Sequence, residues 1–147
     1  MHDSLLVVED LPSTYARLVW SLEHCGYRPV GAFTDPAALE LVEERELALA
    51  LVELRLAGMG GLQLCREIRK RRRELPVAMI CSSSDREMVR AAGAAGACDL
   101  LVTPVDLGEL CYRIECARKR GQLEQGAHRL QAQSAPWLEH VGLVTVH

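Results

Sequence analysis

With 147 residues, 49% of them hydrophobic and 25% charged, the chain is long enough to bury one core and too apolar to be disordered. A formal net charge of −3 and an aromatic share of 4% give no general pull toward nucleic acid and little surface for stacking bases. No apolar run approaches the roughly 20 residues that cross a bilayer, and the start Met1-His2-Asp3-Ser4 lacks the basic flank and cleavage site of a secretory signal.

Short apolar runs of β type alternate with segments of helical period. Leu5-Leu6-Val7-Val8 reads as a buried strand, followed by an amphipathic helix from about Ser13 to His24 that Cys25-Gly26 closes. Tyr27–Phe33 is a second strand. Asp35-Pro36 then offers an N-cap with proline at the first helical position, opening a helix to about Glu46. Leu47–Val52, apolar on both faces, fits a central strand of a parallel sheet. A third helix is expected over Leu62–Arg73 and a fourth strand over Pro76–Ile80. Ser84-Asp85-Arg86-Glu87 has the form of a capping box for helix four. Cys98–Val102 is the fifth strand, and Asp106-Leu107-Gly108-Glu109 caps a fifth helix that continues past Arg120. Strand–helix alternation of this kind predicts a doubly wound α/β fold, a five-stranded parallel sheet with right-handed crossovers. Chemistry in such folds gathers at the carboxyl ends of the strands, here Glu9, Asp10, Glu53, Cys81 and Thr103.

Several motifs follow one another with a familiar spacing. Val7-Val8-Glu9-Asp10 places an acidic pair after the first strand. Glu53 ends the third strand before a Gly-rich turn, Gly58-Met59-Gly60-Gly61. Ala94-Ala95-Gly96-Ala97 leads to Asp99-Leu100-Leu101 and then Thr103-Pro104. Over residues 4–120 this pattern resembles the receiver domain of bacterial response regulators, a flavodoxin-like fold. The resemblance implies a phosphoryl-accepting aspartate at the end of the third strand and a Mg²⁺ held by carboxylates. It also implies a Thr or Ser that reads the phosphoryl group, a lysine that stabilises its charge, and an aromatic switch on the fifth strand.

At these positions the chain departs from the family. Glu53 stands at the acceptor position, and its longer arm spoils in-line geometry tuned at the ångström scale. Cys81 replaces the hydroxyl residue, and a thiol is a weak donor. Leu100 stands where the switching aromatic often lies, and Thr103 replaces the lysine before Pro104. Ala57 and Gly60 depart from the usual turn. Only the acidic pair is intact. The metal set implied by the resemblance is Glu9, Asp10, Glu53 and Arg55, with Mg²⁺ bound weakly. Carboxylates crowded there without a lysine repel one another, so at least one should resist ionisation.

Three functions follow from this pattern. The favoured one is an atypical receiver, not an enzyme, that works as a cytoplasmic protein-interaction module without aspartyl phosphorylation. A working receiver charged by a histidine kinase is the first alternative, and a redox module using Cys81 is the second. Partners, including a second copy of the chain, are expected on the face of helix four, strand five and helix five, through Arg86, Arg90, Asp99, Arg113 and Glu115. No direct nucleic-acid binding and no membrane contact are expected: the run Arg66, Arg69, Lys70, Arg71, Arg72 and Arg73 ends a helix, where cations favour the dipole. The six cysteines, 25, 65, 81, 98, 111 and 116, form no CxxC pair and read as reduced, mostly buried thiols. Residues 121–147 read as an extension or a linker toward an output domain. Cys116, Leu123 and Leu130 hint at a thin helical stripe, which Ser134-Ala135-Pro136 ends before the apolar Trp137-Leu138 and Val141–Val146.

Overall fold

The computed structural model describes residues 3–132, with side chains through residue 123. Five strands, β1 (Ser4–Val8), β2 (Arg28–Ala32), β3 (Leu49–Glu53), β4 (Val77–Cys81) and β5 (Asp99–Val102), alternate with five helices. The helices are α1 (Pro12–His24), α2 (Asp35–Glu44), α3 (Gly61–Arg71), α4 (Arg86–Ala94) and α5 (Leu107–Ala132). Every strand pair is parallel, in the order β2-β1-β3-β4-β5. The expected doubly wound sheet is therefore present, with its direction of winding reversing at β1 and β3.

Alternation along the strands divides the core between the two faces of the sheet. Leu6, Val8, Ala50, Val52, Val77, Met79 and Cys81 pack on one side with Ala38 and Val42 of α2, Leu64 and Ile68 of α3, and Ala92 of α4. Leu5, Val7, Leu49, Leu51, Ala78, Ile80 and Leu101 face the other side, against Leu18 and Leu22 of α1 and Leu110, Ile114 and Ala117 of α5. Each of these larger side chains contributes about 1.5–3 kcal/mol when fully buried. Both faces are covered, which is why the middle strands are continuously apolar.

The helix starts differ in detail from the expectation. Thr34, not Asp35, is the N-cap of α2: its side chain accepts from the Ala37 amide, and Asp35 enters the first turn as a dipole-favoured acid. At α4 the cap is Asp85 rather than Ser84, accepting from the Met88 amide at 2.9 Å. Asp106 caps α5 as expected, accepting from the Glu109 amide at 3.2 Å. The helix runs through Gly121, where a Cβ would crowd the Pro76 ring. Cys116 and Leu123 are both exposed, so that stripe does not face the core. The side chain of Leu130 and the segment 134–146 lie outside the described residues.

One expectation about the cysteines is overturned. Cys25, at the C-cap of α1, is disulfide-bonded to Cys111 in α5, with Cα atoms 5.3 Å apart. Their separation of 86 residues leaves no local motif to read. The pairing follows from the fold: α1 and α5 lie on the same sheet face, and Leu22 and Leu110, close to the two cysteines in sequence, share one core. Of the remaining thiols, Cys65 and Cys81 are buried, Cys98 is half-buried and Cys116 is exposed.

Candidate functional site

Glu9 and Asp10 follow β1, and Glu53 ends β3, the strand beside it, with Val8 in register with Val52. The parallel register thus brings three carboxylates to one edge of the sheet, at the point where winding reverses. Glu9 is only 1% exposed. Its Oε1 accepts from the Leu11 amide at 2.9 Å, and its buried Oε2 accepts no hydrogen bond from any described residue.

Asp10 reaches outward and binds the turn after β3, its Oδ2 accepting from the Ala57 amide at 2.9 Å. Asp35 does the same from the far side, accepting from the Met59 amide at 2.8 Å. Two carboxylates from different loops therefore brace one turn. Gly58 has φ +79° within it, and Gly61 lies so close to the Glu53 carbonyl and Leu54 that a Cβ would overlap both. The sequence pattern missed the bracing role of Asp35 because a helix-start acid explains itself locally.

The half-buried Glu53 carboxylate folds back on its own turn, with Oε1 accepting from the Arg55 amide at 3.2 Å. Burial pushes its pKa up to about 7, opposed by that amide and reinforced by the negative charges of Glu9 and Asp10. The expectation that one carboxylate of the cluster resists ionisation is met at this residue. Arg55 meets Glu53 through its backbone amide.

Cys81, in register with Val102, is buried at the end of β4, and burial, then the charge of Glu53, raises its thiol pKa. A raised pKa makes thiolate scarce and the sulfur unreactive. Thr103 turns its amide and hydroxyl to the Cys81 carbonyl, at 2.8 and 3.3 Å. It is followed by the cis peptide to Pro104. Leu100 is half-buried and packs against the core on the α2–α3–α4 side of the sheet.

A Mg²⁺ ion would find ligands of the right chemistry here, hard carboxylate oxygens, and the unpartnered Oε2 of Glu9 is a fitting donor. The set is not closed, however. Among the described residues no three His, Cys, Asp or Glu side chains gather tightly enough to hold a metal ion. Asp10 and Glu53 each give an oxygen to a backbone amide instead.

The five residues expected on the partner face divide into separate groups. Arg86 and Arg90 are exposed on α4 and line an open surface cavity of about 370 Å³ with Ser84, Asp85 and Val89. Asp99 and Arg113 pair with each other through a two-pronged contact that includes an Nε–Oδ2 bond of 2.8 Å. Glu115 stands apart from them. It accepts from the Tyr27 hydroxyl at 2.6 Å and pairs with Arg118, which also reaches Asp3 at 3.1 Å. Glu115 thus faces the α1–β2 side of α5, one turn beyond Cys111, and its hydrogen bonds with Arg118 and Tyr27 hold its carboxyl down at about 2. Most of the basic run at the end of α3 has local partners: Arg69 and Arg72 donate to backbone carbonyls, and Lys70 and Arg71 pair with Glu67 and Glu43, while Arg73 is exposed.

Comparison with known proteins places these features in a family. Residues 5–115 match the response regulator receiver domain. The transcriptional regulatory protein AfsQ1 of Streptomyces coelicolor is 32% identical over 121 residues, covering 82% of this chain and 53% of that protein. The heme response regulator HssR of Staphylococcus aureus is 31% identical over 78% of this chain and 51% of its own length. The chain therefore spans about half the length of the curated relatives it matches. Among solved structures, NtrX from Brucella abortus superposes with a TM-score of 0.82 at 29% identity, over 88% of this chain and 30% of that one.

Proposed function

The chain belongs to the response regulator receiver domain family, and on that footing we propose that it is an atypical receiver that signals through protein contacts without aspartyl phosphorylation. The observation that carries this reading is Glu53. A carboxyl folded back onto the Arg55 amide, with its pKa raised to about 7, is only partly ionised as a nucleophile, and its extra methylene displaces it from an aspartate's line of attack. Thr103 brings no positive charge to the pocket and spends its hydroxyl on the Cys81 carbonyl. Neither residue supplies what a developing phosphoryl charge needs. In this reading the domain is not an enzyme, acts in the cytoplasm, and meets a protein partner or a second copy through the face of α4, β5 and α5. Exposed Val89, Val102 and Tyr112 on those elements support that choice of face. Direct nucleic-acid binding forms no part of it, since most of the basic run ending α3 has local partners.

The buried, unpartnered Oε2 of Glu9 favours one second reading, a receiver that binds Mg²⁺ and takes phosphate from a histidine kinase. In both readings Glu9, Asp10 and Glu53 are the residues that would hold Mg²⁺, weakly; when bound, it would neutralise charge at the pocket. Incubation with Mg²⁺ and a small phosphodonor, followed by intact-mass measurement, separates the two. The atypical reading expects no adduct. A stoichiometric phosphoryl group on Glu53 refutes it.

A further inference from the structure

We propose that the Cys25–Cys111 bond is a reversible thiol–disulfide site that governs how firmly the start of α5 is tied to α1. Two observations on the packing locate its effect. The body of α5 is held without the bond: Ile114 and Ala117 are buried against the sheet, and Glu115 and Arg118 reach Tyr27 and Asp3. The first two turns are held far less. Across 107–113 only Leu110 is buried, and beyond it the Asp106 cap, the bonds of Arg113 to Asp99 and the Leu100 carbonyl, and the disulfide hold these turns. Opening the bond therefore loosens residues 107–113 and leaves the core intact. These turns follow directly on Thr103–Asp106, at the edge of the sheet that carries Glu53.

The sulfurs are positioned for exchange. Both cysteines are only partly buried, outside either core cluster, which leaves an approach for a small thiol. Its thiolate attacks one sulfur, the S–S bond breaks, and a mixed disulfide forms with one cysteine while the other leaves as a thiolate and takes a proton. A second small thiol resolves the mixed disulfide. The products are two cysteine thiols and one small-molecule disulfide, and the same class of disulfide restores the bond in reverse. In the cytoplasmic setting proposed above, disulfides that persist are usually transient or redox-sensing rather than static. The exchange itself is a property of the folded chain and is independent of phosphoryl chemistry at Glu53, so either proposal can fail without the other.

The test uses the full chain in glutathione buffers of varied ratio, followed by alkylation, intact mass and amide hydrogen exchange. Exposed Cys116 serves as the internal control: it should alkylate in reduced buffers and carry either the label or one glutathione in oxidised ones, which intact mass tells apart. Millimolar reduced glutathione is expected to free Cys25 and Cys111 for labelling and to speed exchange over 107–113 by about tenfold, at times short enough that the strands, which open only by global unfolding, stay protected. Oxidised glutathione should reverse both changes, and C25S and C111S should each reproduce the fast-exchanging state. A bond that survives reduced glutathione in the folded protein is a static staple and overturns the proposal. So does reduction that leaves exchange over 107–113 unaltered.

Discussion

The raised pKa of Glu53 carries a signed and measurable cost in stability. Its carboxyl is raised from 4.5 to about 7 in the folded protein, chiefly by burial. Below about pH 4.5 it is protonated folded or unfolded, and its stabilising contribution is complete. As pH rises toward 7 the unfolded chain ionises while the folded site resists, so stability falls across that window by up to about 1.4 kcal/mol per pH unit. Full conversion would exceed 3 kcal/mol, but Glu53 is only half-buried and solvent screens its neighbours, which brings the expected loss to about 1–2 kcal/mol. Replacing Glu53 with Gln keeps the shape and removes the titration. Urea unfolding of both proteins at about pH 5 and pH 8, with chelator present, should give similar midpoints at the lower pH. At the higher pH, E53Q should be more stable by that 1–2 kcal/mol. A difference between the two proteins that does not change with pH would mean that Glu53 ionises as an ordinary surface acid, and the reasoning from burial and like charge would fail.

Glu115 predicts the opposite slope: its carboxyl is held at about 2, so its stabilising contribution, complete above about pH 4.5, drains away as pH falls toward 2, and E115Q should flatten that acid limb in the same unfolding assay. The double variant C25S/C111S removes a covalent ring closed across 86 residues and should lose up to about 4–5 kcal/mol by chain entropy, read as a shift in urea midpoint that reductant reproduces in the natural protein. Asp85→Ala strips the cap from α4 and should cost about 1 kcal/mol in thermal or urea unfolding, with D85N close to unchanged. Gly61→Ala forces a methyl against the Glu53 carbonyl and Leu54; at about 1–3 kcal/mol it should destabilise more than G60A, whose site is sterically open, although Gly60 carries a positive φ of its own.

The fold was legible because its signal is periodic. The all-apolar runs Leu5–Val8 and Leu49–Val52 require a sheet covered on both sides, and the helix pattern between strands leaves one arrangement of crossovers. The acidic edge was legible for the same reason, since strand ends of a parallel sheet converge. What escaped were relations between residues distant in the chain. Nothing near Cys25 announces Cys111, nothing near Glu115 announces Tyr27, and Asp35 looks complete as a helix-start acid until the turn at Met59 is seen beside it. The caps slipped by one residue at Thr34 and Asp85 because neighbouring polar residues compete for the same role, and only backbone geometry chooses between them.

Asp10 and Asp35 hold the turn after β3 from opposite sides, one bonded to Ala57 and the other to Met59. The segment after β1 and the start of α2 are therefore each tied to the turn after β3 by a carboxylate–amide hydrogen bond. The backbone that positions Glu53 is thus held by acids from two other segments of the chain. Replacing Asp35 would free the Met59 amide, four residues along the same turn from the Arg55 amide whose hydrogen bond Glu53 accepts. A helix-start acid thereby becomes part of the support of the pocket.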